Sequence, residues 1–183
     1  AALAEEARLR ALLEQTARTD SLTGIANRRA HEADVRAILA DAARAGRPVA
    51  MFIIDIDHFK SINDTYGHDV GDEVIVGVAR RLVEAVRAAD RVARWGGEEF
   101  TLCAPGVDGA AAPRLAGNLL RNIRRRPFDT QVGPLDVTVS IGGAVHPPGA
   151  PDPERTLRLA DAALYRAKRE GRDRWVVARD ADT

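Results

Sequence analysis

The feature that most constrains the fold is a run of six apolar residues, VAMFII at positions 49–54, bounded by Pro48 and Asp55. A short apolar run without alternation is typical of a strand that is buried on both faces of a sheet. Two acidic residues, Asp55 and Asp57, stand at its downstream end. The run therefore predicts a central strand that carries carboxylates at one end.

A second pair of β-prone segments, RVARW and EEFTLCA, is separated by Gly96 and Gly97. Tight hairpin turns need positive φ angles, which glycine adopts at low cost, so the pattern predicts a β-hairpin with Gly-Gly at its tip. Glu98 and Glu99 directly follow this turn. If the hairpin lies beside the central strand, Asp55 and Glu98 converge on one point, where a hard divalent cation would relieve their repulsion.

Helical and strand patterns alternate along the rest of the chain, which predicts an α/β fold. Helices should pack around a mixed central sheet that includes the antiparallel hairpin. We expect Gly142 and Gly143 to mark a β-bulge in one of the strands. The other predicted elements are helices over about 28–44, 71–89, 109–126 and 154–169, a short helical piece within 58–68, and strands over 135–145 and 175–178.

Three segments are expected along the chain. Residues 1–19 lack Gly and Pro and are rich in Ala, Leu, Glu and Arg, which predicts a helical extension. One domain then occupies residues 20–178, and 179–183 form a tail. Because the chain begins at Ala1 rather than Met, we expect an upstream sensory or receiver domain to be missing from this fragment.

Composition argues against several classes of protein. The 27 Lys and Arg balance the 27 Asp and Glu, so no global field attracts nucleic acid. The longest apolar run is too short to span a bilayer, so we expect no membrane contact by this fragment. A single cysteine, Cys103, and no visible signal peptide favour a cytoplasmic location, with a membrane anchor upstream in the full-length protein as an open alternative. Without a GxxxxGK[ST] motif, the chain is not a P-loop NTPase.

The segment RWGGEEF at 94–100 resembles the signature hairpin of GGDEF-family diguanylate cyclases, in its GGEEF form. Three further blocks occur in the family's order: DSLTGIANRR at 20–29, DIDHFKSINDTYGHDVGDEV at 55–74 and ALYRAKREGRD at 163–173. The resemblance covers about residues 20–178. It implies a palm-like nucleotidyl cyclase fold and an enzyme that condenses two GTP into cyclic di-GMP and two pyrophosphates, in second-messenger signalling.

The resemblance also implies roles for individual residues. Asp55, Glu98 and the backbone carbonyl of Ile56 match metal ligands, for Mg²⁺ or alternatively Mn²⁺, with two ions in each GTP half-site. Asp55, Glu98 and Glu99 match the catalytic acids, and Glu99 could bind metal or activate the attacking hydroxyl. The residues that match GTP-binding positions are Lys60, Asn63, Asp72, Gly96, Gly97, Lys168 and Arg172.

Because one domain would hold one GTP, the resemblance implies two active sites that face each other across a homodimer. Arg87 and Asp90 form an RxxD sequence with five residues between Asp90 and Gly96. That spacing matches the family's inhibitory site, where the product cyclic di-GMP binds. The family often adds an arginine from a neighbouring helix, and Asn118 stands at that position here. Product binding is therefore expected rather than a fully cross-linked inhibited dimer.

Simpler explanations remain open for single residues. Lys168 and Arg172 could serve a helix dipole, Asp72 could cap a helix, and an RxxD pair could be a weak surface ion pair. Two other functions also remain open. One is a domain that binds GTP or cyclic di-GMP without making product, against which the intact hairpin argues. The other is a different nucleotidyl cyclase or polymerase palm, including one with a mixed GMP–AMP product, against which Asp72 argues.

Overall fold

The computed structural model of the protein describes residues 3–6, 8 and 17–178. Its strands are β1 (Ala26–Asn27), β2 (Val49–Ile56), β3 (Arg91–Gly96), β4 (Glu99–Pro105), β5 (Phe128–Thr130), β6 (Gly133–Leu135), β7 (Val139–His146) and β8 (Trp175–Val177). Its longer helices are α1 (Arg28–Arg44), α2 (Phe59–Tyr66), α3 (His68–Glu84), α4 (Ala112–Arg124) and α5 (Pro153–Arg169).

A six-stranded mixed sheet in the order β1-β3-β4-β2-β7-β8 lies at the centre, which confirms the predicted fold class. The apolar run forms β2, and every residue of β2 except Ile53 is buried. Its neighbours β4 and β7 both pair with it in antiparallel register. A separate two-stranded ribbon, β5–β6, was not predicted from the sequence.

Helix α3 packs on the sheet through Val74, Val78 and Leu82, all of which are buried as their spacing predicts. The predicted end of this helix is wrong, however, because α3 stops at Glu84 rather than near residue 89. The chain turns there instead: the side chain of Asp90 accepts a hydrogen bond from a backbone N–H three residues earlier. The RxxD sequence therefore lies in a turn that leads into β3.

The predicted bulge at Gly142 and Gly143 is also wrong, because β7 pairs with β2 over its whole length without a register shift. Gly142 instead lets α5 lie directly on the sheet. A Cβ at Gly142 would stand 2.2 Å from both the carbonyl oxygen of Ala160 and the amide nitrogen of Leu164. The irregularity in the sheet falls at Trp95, between β3 and the hairpin turn.

Most of the expected helical extension lies outside the described residues, although residues 3–6 and 8 are helical. The expected tail at 179–183 also lies outside them. The domain limits therefore stay predictions. None of the described helices is both long enough and apolar enough to cross a membrane.

Candidate active site

The hairpin brings Glu98 and Glu99 next to Asp55 at the end of β2, as the sequence predicts for Asp55 and Glu98. Asp55, near the end of β2, is the direct cross-strand partner of Glu99 at the start of β4. The backbone N–H of Ile56 donates to the carbonyl oxygen of Glu98 at 3.3 Å. Asp55 is buried, whereas both glutamates are half-buried. The hairpin therefore lies beside the central strand with its acids next to Asp55.

A lysine from α5, near the C-terminal end of the chain, reaches the same end of β2. The Nζ atom of Lys168, in α5, lies 3.2 Å from Oδ2 of Asp55. Burial raises the pKa of Asp55 to about 6; the ammonium of Lys168 opposes this rise, and the negative charges of Glu98 and Glu99 add to it. The site thus holds more negative charge than its one lysine balances.

This excess charge fits a divalent metal. Asp55, Glu98 and the Ile56 carbonyl would offer only oxygen ligands, which hard cations such as Mg²⁺ prefer. No group of three or more His, Cys, Asp or Glu side chains within the described part of the chain is arranged as a metal site. A set of two carboxylates and one carbonyl leaves coordination positions for water and substrate phosphates, as is usual for Mg²⁺.

The hairpin turn is fixed by an arginine that the sequence prediction overlooked. Arg94 donates from Nε and Nη2 to the carbonyl oxygen of Gly97, at 3.0 and 2.8 Å, and Gly97 has a φ of 49°. Its Nη1 lies 3.2 Å from both carboxylate oxygens of Asp20. Although burial acts in the opposite direction, hydrogen bonds from Thr23 and Arg94 hold the pKa of Asp20 below its usual value.

Trp95, which forms the bulge beside this turn, packs against α1. The guanidinium carbon of Arg28 lies 4.3 Å from the Trp95 ring centroid. The ring of His31 meets the indole edge-on, with centroids 6.2 Å apart. Burial lowers the pKa of His31 to about 4, so the imidazole is neutral at physiological pH. Trp95 therefore lies in packing contacts that anchor the hairpin to α1.

The expected guanine-reading residues lie at the corner between α2 and α3. Asn63 is half-buried in α2, and Asp72 is exposed in α3. Gly67, with a φ of 91°, joins the two helices, and α3 has no side-chain cap. A capping role for Asp72 is therefore wrong. Lys60 is exposed in the first turn of α2.

Asp57 has a different role from Asp55, although both follow the same apolar run. Its carboxylate accepts hydrogen bonds from Thr138 Oγ1 at 2.7 Å, Ser140 Oγ at 2.6 Å and the backbone N–H of Asp173 at 2.9 Å. These bonds tie β7 to the loop that follows α5. The exposed Arg172, which has a φ of 62°, precedes Asp173 in this loop. Asp57 thus fixes the position of the loop that contains Arg172, an expected phosphate-binding residue.

The RxxD pair forms a closed contact at the start of β3. Asp90 has a side chain with 0% exposure and accepts from Arg87 Nη2 at 2.8 Å, Nε at 3.3 Å and the backbone N–H at 2.9 Å. Arg87 also donates to the carbonyl oxygen of Pro105 at 3.1 Å, and its hydrogen bond to Asp90 raises its pKa. Arg87 alone faces solvent, with 59% of its side chain exposed.

Comparison with known proteins agrees with this geometry. A sequence profile described as "Diguanylate cyclase, GGDEF domain" matches residues 17–174. The response regulator PleD of Caulobacter vibrioides is 42% identical over 157 residues, which cover 85% of this chain and 35% of PleD. Diguanylate cyclase DgcP of Pseudomonas aeruginosa is 42% identical over 164 residues, covering 90% of this chain and 24% of DgcP. The chain thus spans about a third or less of these relatives.

Solved structures show the same fold. The coiled coil and GGDEF domain of DgcB from Caulobacter crescentus, in complex with c-di-GMP, superposes with a TM-score of 0.87 at 34% identity, covering 97% of this chain and 95% of that one. With this mixed sheet and these neighbours, the chain has the palm-like fold of the nucleotidyl cyclase class. The chain belongs to the GGDEF family of diguanylate cyclases, which are enzymes of the nucleotidyltransferase type and generally use a divalent metal.

Proposed function

We propose that this chain is the catalytic domain of a diguanylate cyclase, which joins two GTP molecules into cyclic di-GMP. The observation that carries the proposal is the placement of Glu98 and Glu99 beside Asp55 at the end of β2, with Lys168 Nζ 3.2 Å from Asp55 Oδ2. Phosphoryl transfer needs this combination, because acids hold metal while cations hold the triphosphate. Membership of the family and the c-di-GMP bound to DgcB support the same conclusion.

In the proposed site, Asp55, Glu98 and the Ile56 carbonyl hold Mg²⁺, or alternatively Mn²⁺, with two ions in each half-site. When bound, the metal would lower the pKa of the attacking hydroxyl and stabilise charge on the departing phosphates. Lys60, Lys168 and Arg172 bind the triphosphate as cations. Gly96 and Gly97 carry no side chains, so the phosphates can approach the backbone of the turn closely.

The reaction joins two nucleotides in two equivalent steps. In each step the 3′-oxygen of one GTP forms a bond to the α-phosphorus of the other, and the bond between that phosphorus and the bridging oxygen to the β-phosphate breaks. Pyrophosphate leaves, and the hydroxyl proton passes to a base or to water. Glu99, beside Asp55, is well placed to accept this proton or to bind metal. Because one domain holds one GTP, we propose that the sites of two copies face each other in a homodimer.

Regulation is proposed at two levels. Arg87 is exposed and already oriented by Asp90, so it can contact a phosphate of cyclic di-GMP and inhibit the enzyme that made it. Binding of a product guanine to Asp90 would require Arg87 to release that buried carboxylate first. Asn118, exposed on α4, does not supply the extra arginine. An upstream sensory or receiver domain would control how the two copies meet.

The first experiment incubates the purified chain with GTP and Mg²⁺ and identifies the product by mass spectrometry, beside Glu98→Ala as the control. Cyclic di-GMP from the parent and none from the variant is the expected result. Equal melting temperatures would show that the variant remains folded. A parent that binds GTP but yields no product at high protein concentration would favour the alternative of a binding domain without synthase activity.

A further inference from the structure

The corner between α2 and α3 contains a polar atom without a partner. Oδ1 of Asn63 is buried and has no hydrogen-bond partner among the residues that the structure describes. Burial of a carbonyl oxygen without a hydrogen-bond partner is unfavourable, so the position of this amide requires an explanation. The explanation lies in the residue that Oδ1 faces.

That residue is Gly71, in the first turns of α3. A Cβ at position 71 would lie only 1.9 Å from Asn63 Oδ1 and 3.1 Å from Cζ of Phe59. The oxygen therefore occupies the space that any side chain at position 71 would need. In glycine the second Cα hydrogen points into this space, where it can act as a weak donor to a carbonyl oxygen.

The backbone prevents the two residues from moving apart. The carbonyl oxygen of Asn63 accepts from the N–H of Gly67 at 2.8 Å, and the carbonyl oxygen of Gly67 accepts from the N–H of Gly71 at 3.2 Å. These two bonds link position 63 to 67 and position 67 to 71, and so fix the spacing of Asn63 and Gly71 at the corner between α2 and α3. A side chain at position 71 could be accommodated only if the Asn63 amide rotated away.

We propose that Gly71 is a positioning residue for guanine recognition. Because glycine has no side chain, it leaves the space in which the Asn63 amide keeps Oδ1 inward and Nδ2 toward the base. An amide nitrogen donates, and it matches guanine O6, where adenine carries an amino group that also donates. Asp72, the next residue, accepts from guanine N1–H and N2–H₂. This inference rests on the proposed function, because it assumes that Asn63 and Asp72 face the nucleotide.

A general packing role for Gly71 makes a different prediction. Gly77, in the same helix, is also crowded, since a Cβ there would lie 2.7 Å from Cδ1 of Phe128. Gly77→Ala therefore disturbs packing in α3 without touching Asn63, and it is the matched control. Both glycines lack a positive φ, so alanine suits the backbone at each position and improves its helix propensity.

The test measures the preference for guanine over adenine by calorimetry, as the ratio of the dissociation constants for 3′-deoxy-ATP and 3′-deoxy-GTP. These nucleotides lack the attacking hydroxyl, so binding is separated from turnover. Parent, Gly71→Ala, Asn63→Ala, Gly77→Ala and the double variant at positions 63 and 71 are compared. Gly71→Ala and Asn63→Ala should each lower the ratio about tenfold, the loss of one hydrogen bond at a recognition edge.

The double variant should lose no more than Asn63→Ala alone, because Gly71 acts through the amide, and Gly77→Ala should keep the parent ratio. If Gly71→Ala keeps the guanine preference of the parent, or if the two single losses multiply, this inference is overturned while the proposed function stands. A parent without any guanine preference would instead overturn the base-reading roles of Asn63 and Asp72, and this inference with them.

Discussion

The two ends of the β3–β4 hairpin each hold a pair of opposite charges, and the pairs differ in how completely they are satisfied. At the turn end, Asp55 receives one contact from Lys168, and two further acids stand beside it. At the other end, Asp90 is fully buried and receives three hydrogen bonds from Arg87. The first pair leaves charge that a further cation can balance, whereas the second is complete without a ligand.

The proposed active site around Asp55 can therefore accept a cation directly, whereas the proposed product site at Asp90 must first break existing contacts. Burial and the neighbouring acids disfavour the ionised form of Asp55 and raise its pKa to about 6. A bound metal would stabilise that ionised form, because its positive charge lies next to the carboxylate. A ligand that recruits Asp90 must first break contacts that already satisfy it. The proposed active site should therefore bind its metal readily, whereas the proposed product site should bind mainly through Arg87.

The largest effect is expected from the acids at the turn end. Glu99→Ala should lower the rate of cyclic di-GMP synthesis by about 10³-fold or more, since it removes either a metal ligand or the base. Asp161→Ala, which removes an exposed acid on α5, should leave the rate unchanged. Initial rates and melting temperatures of both variants check this. Retained synthesis in a folded Glu99→Ala variant would remove Glu99 from the mechanism.

A smaller effect is expected at the other end of the hairpin. Arg87→Ala should raise the inhibition constant for cyclic di-GMP about 30-fold, because it removes charge-assisted hydrogen bonds to a phosphate. Initial rates at increasing concentrations of added cyclic di-GMP give this constant. Arg36→Ala, an exposed arginine on α1, is the control for lost surface charge. An inhibition curve that does not move would eliminate the RxxD site.

The smallest effect concerns stability without metal. The pKa of Asp55 in the folded chain, about 6, exceeds its usual value of 3.8, so ionisation costs stability as pH rises from 4 to 6, and the loss persists above pH 6. With a metal chelator present at pH 8, the free energy of unfolding of Asp55→Asn should therefore exceed that of the parent by about 1 kcal/mol, because water screens part of the cost. This difference corresponds to about 3 °C in Tm.

At pH 4 the two proteins should melt at nearly the same temperature, because this pH lies close to the unfolded-state pKa of Asp55 and well below its folded-state pKa, so little of the cost of ionisation has yet appeared. Asp90→Asn serves as the opposite control: it should lower the Tm at pH 8, since it removes the charge that pairs with Arg87. Thermal melts at the two pH values decide the matter. An Asp55→Asn difference that is the same at pH 4 and pH 8 would contradict the unsatisfied character of the turn-end pair.

Features that depend on short stretches of chain were predictable from the sequence. An apolar run predicts the buried strand β2, and two glycines predict the hairpin. In both cases the acidic residues come directly after these features in the sequence. The end of α3 was not predictable, because apolar spacing continues past Glu84, whereas the chain turns there and the buried Asp90 accepts a hydrogen bond within the turn. The ribbon β5–β6 is too short to show a pattern of its own.

Contacts between distant parts of the chain were beyond the sequence argument. Asp55 and Asp57 look alike in sequence, and only the hydroxyls of Thr138 and Ser140 show that Asp57 is structural. Gly142 looked like a bulge residue because glycine in a strand signals either a bulge or a close approach, and composition does not separate the two. The assignments of Lys60, Arg172 and the other GTP-binding positions remain predictions.

Gly142 also affects how a survey of tolerated substitutions should be interpreted. Leu164, which the glycine admits onto the sheet, lies one helical turn before Lys168, so both side chains are on the same face of α5. A larger residue at 142 would lift the helix and carry Lys168 away from Asp55. In a genetic screen this position should therefore appear as intolerant as the acids themselves, although it touches no nucleotide and takes part in no chemical step.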